Sequence, residues 1–169
     1  MTVIDTVNAL DRRAFVGRFG GLFEHSPWVA EQAWDARPFA DRVALHRAMV
    51  DVVDRAPRER QLELIRAHPD LAGRAAITGE LTDDSRREQA SAGLDRLTPE
   101  EYERFTRTNA AYRERFGFPF VICAREHTPD SIIAAAERRL GAGPGEEEQT
   151  ALSEIAKIAR LRLADLVAP

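Results

Sequence analysis

Apolar positions along this chain recur mostly three and four residues apart, in blocks separated by proline, glycine and capping residues, which predicts a succession of helices. Asp11 caps a helix carrying Phe15, Val16 and Phe19 as far as Gly20-Gly21, and Pro27 opens a short one through Trp34. Asp41 starts a third, whose apolar positions are Val43, Leu45, Ala48, Met49, Val52 and Val53. Pro57 begins the next, with Leu62, Leu64 and Ile65. That helix, over Arg58 to Arg66, must end near His68, because Pro69 disfavours helical backbone for the residue before it. A polar helix from about Asp84 to Ala92 stops at Gly93. Thr98-Pro99-Glu100-Glu101 is a capping box opening a helix that reaches Phe116, and Thr128-Pro129 repeats the device for a helix to Leu140. Gly141 to Gly145 form a loop before a final helix from about Glu146 to Val167. Only Phe118 to Ala124 reads as extended, and one short apolar run does not make a sheet. The expected fold is all-α: a single compact domain over residues 1–169, of about seven to nine helices, with one extended segment near 118–124.

Composition narrows the chemistry. The 169 residues are 44% hydrophobic and 31% charged, which excludes a disordered chain, and no apolar run approaches membrane length. A net charge of -4 argues against nucleic acid, since phosphate binding needs a concentrated basic surface, and leaves small molecules or proteins as partners. Met1 to Asp11 lack the basic and apolar blocks of a secretory signal, and no Ser-Lys-Leu ending precedes Pro169. The expected compartment is a bacterial cytoplasm. Cys123, the one cysteine, is expected to be a buried packing residue. Lys157 is the only lysine among 24 basic side chains, so any Schiff base would have to use it. No His-Glu-x-x-His pattern or close histidine pair supplies three ligands, so no metal is expected. Among the other histidines, His46 is expected at the surface, His25 to fix a turn, and His127, which precedes a helix cap, to be structural.

Four features could carry chemistry. His68, held at a helix end by Pro69, is a candidate general acid or base on a rim, or else a capping side chain. Ser85, Glu88 and Gln89 project from one face of their helix, either toward a ligand or as a solvated face beside Arg86 and Arg87. Arg162 occupies the apolar row Ile155, Ile158, Ala159, Leu166 of the last helix, and a guanidinium there needs an anion. That anion is an internal Asp or Glu, or the carboxylate of a ligand, whereas Arg160 points to solvent. Finally, Pro119 keeps Phe118 extended, so Phe116-Gly117-Phe118-Pro119-Phe120-Val121 offers backbone donors and acceptors that no helix has used. This stretch is either a buried connector or a wall that reads amide or urea groups.

Taken in order, Phe23-Glu24-His25-Ser26-Pro27-Trp28, His68-Pro69-Asp70-Leu71-Ala72, Glu88-Gln89 with Ala92-Gly93-Leu94-Asp95, Phe116 to Phe120, and Glu154 to Leu163 resemble the 2-oxo-4-hydroxy-4-carboxy-5-ureidoimidazoline (OHCU) decarboxylase family, from about Asn8 to Val167. The resemblance implies an all-helical homodimer that forms (S)-allantoin in the last step of urate conversion, without metal or organic cofactor. It implies that His68 is the catalytic histidine with Glu88 its acidic partner. It also implies that Pro69 shapes the site, that Ser85, Gln89 and Arg162 contact the ureidoimidazoline substrate, and that the backbone around Phe118, Phe120, Val121 and Ile122 recognises the ureide. The stretch Cys123 to Glu126 is less typical of the family. Two other classes would use the same residues differently. A non-catalytic ureide- or protein-binding module would need Arg162 and the Phe118 segment but not His68, and a cofactor-free hydrolase or isomerase would use His68 and Glu88 as a base pair.

Overall fold

Side-chain caps start most of the longer helices, as the sequence leads one to expect. In a computed structural model, which describes residues 2–169, Asp11 accepts from the Ala14 amide at 2.7 Å and Asp41 from the Ala44 amide at 2.7 Å. Thr98 with Glu101, and Thr128 with Ser131, complete capping boxes. The α-helices among the described residues are α1 (Ile4–Asn8), α2 (Arg12–Phe19), α3 (Trp28–Ala33), α4 (Arg42–Arg55), α5 (Arg58–Arg66), α6 (Arg74–Thr78), α7 (Asp83–Ser91), α8 (Pro99–Phe116), α9 (Pro129–Arg139) and α10 (Pro144–Leu166). Single 3-10 turns occupy Trp34–Ala36 and Ala124–Glu126. The fold is all-α: an isolated bridge between Thr2 and Val167 is the only β-type pairing among the described residues.

The chain divides into two compact units, residues 1–67 with 156–169, and residues 68–155. The first contains α1 to α5 and the end of α10. Its core includes Val7, Phe15, Phe19, Val29, Leu45, Met49 and Leu163. In α4 the buried stripe is narrower than the expected one, consisting of Leu45, Met49 and Val53, while Val43 is exposed. His46 also departs from expectation: it is half-buried, and its Nε2 lies 2.8 Å from the Ala156 carbonyl. Burial lowers its pKa, the Ala156 hydrogen bond opposes this, and the charge of Arg160 lowers it further.

The second unit contains α6 to α9 and the start of α10, and α8 packs on α9. Gly117, at φ +75°, lets the chain reverse out of α8, a backbone angle that an L side chain resists. The following segment, Phe118 to Cys123, is non-helical and buried, as expected, but the expected extended run stops one residue early because Ala124 already begins the 3-10 turn. No helix among the described residues is long and apolar enough to cross a membrane.

Candidate functional site

In the second unit, α8 organises two segments that carry most of the candidate residues. Its buried stripe is Phe105, Asn109 and Tyr112. Asn109 Nδ2 donates to the Leu71 carbonyl at 2.9 Å, holding the loop that follows His68-Pro69, and Arg113 Nε reaches Asp70 at 3.0 Å. One turn along the same face, Tyr112 packs edge-on against Phe118 and Phe120, with ring centroids 5.9 and 5.3 Å away. Adjacent turns of one helix therefore fix both the histidine loop and the extended segment.

α5 ends at Arg66, as Pro69 requires, and His68 follows in the loop. The side chain is buried, with 7% of the residue exposed, so the expected open rim is replaced by an enclosed position. Pro69 is half-buried beside it. The loop continues into Ala72, whose φ of +50° is left-handed and strained for a residue with a Cβ. Its amide donates to Gln89 Oε1 at 3.0 Å, so α7 pins the loop where its backbone is least comfortable.

On α7 the expected face exists and points inward. Ser85 and Gln89 are buried and Glu88 is half-buried, while Arg86 and Arg87 are exposed and pair with Asp83 and Asp84 on the wet side. The helix is capped by Thr82, which accepts from the Ser85 amide at 3.2 Å. Gln89 spends its oxygen on Ala72, and its Nε2 is buried without a hydrogen-bond partner among the described residues. A buried unsatisfied donor is costly, on the order of 1–3 kcal/mol, and is a feature of binding sites.

The segment Phe118 to Cys123 repeats that condition in its backbone. The Val121 carbonyl accepts from Arg139 Nη1 at 2.8 Å and the Cys123 amide donates to Glu154 Oε2 at 3.2 Å. The amides of Phe120, Val121 and Ile122, and the carbonyls of Phe118, Phe120 and Ile122, have no protein hydrogen-bond partner among the described residues. Alternating N–H and C=O groups in a dry setting suit a planar urea or amide, which presents both.

Arg162 lies in the other unit. It is buried, and Nη1 donates to Glu24 Oε2 at 2.9 Å, with the Gly21 carbonyl at 3.3 Å. Of the two anions its position allowed, an internal carboxylate is present. The sequence reading missed this partner, although Glu24 is a lone acid after the apolar pair Leu22-Phe23. It also missed Asn109, Arg139 and Glu147. Asn109 and Glu147 sit on otherwise apolar helical rows, the signal that identified Arg162. Cys123 is buried as expected, His25 takes φ +46° in a turn, and His127 Nδ1 lies 3.0 Å from Ser131 Oγ at the α9 cap. No group of three His, Cys, Asp or Glu side chains suited to a metal occurs among the described residues.

Comparison with known proteins gives a consistent result. The family model described as OHCU decarboxylase matches residues 8–164, running through both units. A 2-oxo-4-hydroxy-4-carboxy-5-ureidoimidazoline decarboxylase of Haloferax volcanii is 51% identical over 162 residues, covering 96% of this chain and 94% of that protein. Among solved structures, an (S)-allantoin synthase superposes with a TM-score of 0.78 at 28% identity over 99% of this chain. The chain spans 54% of that protein's length. An OHCU decarboxylase crystallised in the presence of (S)-allantoin superposes with a TM-score of 0.69 at 22% identity, over 93% of this chain and 98% of that one, a likeness that concerns the fold.

Proposed function

The chain belongs to the OHCU decarboxylase family, and we propose that it decarboxylates 2-oxo-4-hydroxy-4-carboxy-5-ureidoimidazoline to (S)-allantoin through His68 and Glu88. It is a carboxy-lyase. The observation that carries the site assignment is the set of unpartnered polar groups in the second unit: the buried Gln89 Nε2, the amides of Phe120, Val121 and Ile122, and the carbonyls of Phe118, Phe120 and Ile122. A ureide supplies the carbonyl oxygen and the N–H groups these lack.

The chemistry follows from the substrate. The ring carbon that bears the carboxylate also bears a hydroxyl and adjoins a carbon in a C=N bond. When the bond to the carboxylate breaks, its electron pair moves into that C=N, so the substrate supplies its own electron sink. The hydroxyl loses its proton to His68, and the enolate-like species becomes the carbonyl of allantoin as the neighbouring carbon takes up a proton. Glu88 acts on the imidazole, setting its tautomer or sharing its proton. A donor fixed in an enclosed site delivers that last proton to one face, where water would give a racemate. Ser85 and Gln89 orient the ring and Pro69 limits the path of the loop. The same reading takes a second copy of the chain as partner and a bacterial cytoplasm as the compartment. Sedimentation of the purified chain tests the first and fractionation of the source cell the second.

The deciding experiment generates the unstable intermediate from urate with the two preceding enzymes, adds this protein, and follows ultraviolet decay and circular dichroism. Accelerated decay with (S)-allantoin as product is expected; unchanged decay and a racemate would refute the assignment.

A further inference from the structure

Behind the extended segment lies a buried charged cluster that the reaction above does not use. Arg139, in the last turn of α9, is 8% exposed, and Glu147, in the first turn of α10, is fully buried. Arg139 Nε donates to Glu147 Oε1 at 2.7 Å, Nη2 lies 2.5 Å from the same oxygen, and the Tyr112 hydroxyl donates to it as well. Two hydrogen bonds, from Arg139 Nε and the Tyr112 hydroxyl, thus converge on one carboxylate oxygen, while Arg139 Nη2, close to that oxygen as an ion pair, and the other oxygen, Oε2, are buried without a hydrogen-bond partner among the described residues. A neutral, apolar replacement for such a cluster often costs little stability, so burial of these charges invites an account other than holding the fold.

The remaining contacts of Arg139 supply one. Nη1 donates to the Val121 carbonyl at 2.8 Å, and the guanidinium carbon lies 4.4 Å from the centre of the Phe120 ring. The peptide joining Val121 to Ile122 is trans, since Arg37-Pro38 is the one cis bond among the described residues. In a trans peptide the N–H points opposite to the C=O. By holding the Val121 carbonyl toward itself, Arg139 therefore aims the Ile122 N–H directly away, on the side of the segment that its own cluster does not occupy. Glu147 and Tyr112 fix the guanidinium, and the guanidinium fixes the peptide plane.

We propose that Arg139, locked by Glu147 and Tyr112, is a positioning residue that presents the Phe120 to Ile122 backbone to the ureide. This rests on the decarboxylase reading of the site. It makes the recognition of a neutral, urea-bearing part of the substrate depend on a charge that never touches it. Lysine cannot reproduce the arrangement, because one ammonium cannot hold Glu147 and the Val121 carbonyl in a planar fork.

The test uses the full chain and its Arg139→Lys and Arg139→Ala variants, with KM, kcat and the enantiomeric purity of allantoin measured on folded protein as judged by near-ultraviolet circular dichroism. We expect R139K to fold, with kcat/KM reduced about 100-fold, KM raised about tenfold of that, and allantoin of lower enantiomeric purity. Added guanidinium at millimolar concentration should recover about tenfold of the loss in R139A but nothing in R139K. Should R139A not fold, R139K alone decides. Wild-type KM, kcat and enantiomeric purity in folded R139K, with only the melting temperature lowered, would overturn the proposal and leave the decarboxylase reading standing. An inactive wild-type chain would overturn both.

Discussion

Replacing Glu24 by Gln tests whether the buried pair with Arg162 is held by charge or by shape. Glu24 and Arg162 are 2% and 4% exposed, and Arg162 Nη1 sits 2.9 Å from Glu24 Oε2. Arginine does not shed its proton, so the variant leaves a cation buried beside a neutral amide. Removing one partner of a buried ion pair costs about 3–5 kcal/mol. The Gln oxygen still accepts, and the Gly21 carbonyl stays within 3.3 Å, so the lower end applies, about 3 kcal/mol. For a chain of this length that corresponds to a melting temperature lower by about 6–12 °C. R162M removes the guanidinium from the buried carboxylate instead and should cost about as much, while E24Q/R162M should cost clearly less than the two together, by about 2 kcal/mol. Urea unfolding followed by far-ultraviolet circular dichroism measures all three. An E24Q midpoint equivalent to within about 0.5 kcal/mol of wild type, or losses that simply add, would refute the reasoning.

At the reacting centre, H68N should leave the fold intact and slow turnover by a factor of about 100 to 10,000; full activity in the decay assay would remove His68 from the mechanism. Q89L removes the acceptor for the strained Ala72 amide and should lower stability by about 1–3 kcal/mol while raising KM, measured by urea unfolding and initial rates; an unchanged urea midpoint would sever that link. His46, lowered from 6.5 chiefly by burial, stays neutral in the fold where the unfolded chain would take up a proton. Stability is therefore complete above 6.5 and falls as pH drops through that value, by at most about 1.4 kcal/mol per pH unit, and H46Q should flatten this acid limb in urea titrations. Tyr112 is raised well above 10 by burial first and then by Glu147. The folded chain keeps this proton after the unfolded chain would lose it, so stability falls as pH rises past 10, and Y112F should show the same tyrosinate absorbance as wild type until unfolding.

The order of helices was legible because caps and prolines act locally. Asp11, Asp41, Thr98 and Thr128 each satisfy an amide three residues on, whatever the rest of the chain does. α1 and α6 were not, since Ile4–Asn8 and Arg74–Thr78 are single turns too short to display an apolar period. Pro144 belongs at the start of α10 by the preference of proline for a first turn, which the surrounding glycines concealed. The inward face of α7 was visible as a spacing, but its direction was not. Ser85, Glu88 and Gln89 are as polar as any wet row, and it takes a contact from another segment, such as the Ala72 amide on Gln89, to mark that row as inward.

Polar residues on apolar rows carry the information that spacing alone lacks. Arg162, Glu147 and Asn109 each interrupt such a row in α10 or α8, and each is buried. Burial without a partner is too costly to persist, so each interruption forecasts a contact, though not with whom. The contacts are Glu24, 138 residues away, Arg139 with Tyr112, and the Leu71 carbonyl. In the second unit they lead to segments that are not helical, Asn109 directly to the loop after His68 and Glu147 through Arg139 to the run from Phe118, which no ladder of backbone bonds could otherwise hold. The polar interruptions are thus what lets irregular backbone stand still inside a helical protein, and irregular backbone is where unspent N–H and C=O groups are found. A helix spends its own peptide groups internally and has none to offer a urea; a segment fixed from behind by Arg139 does.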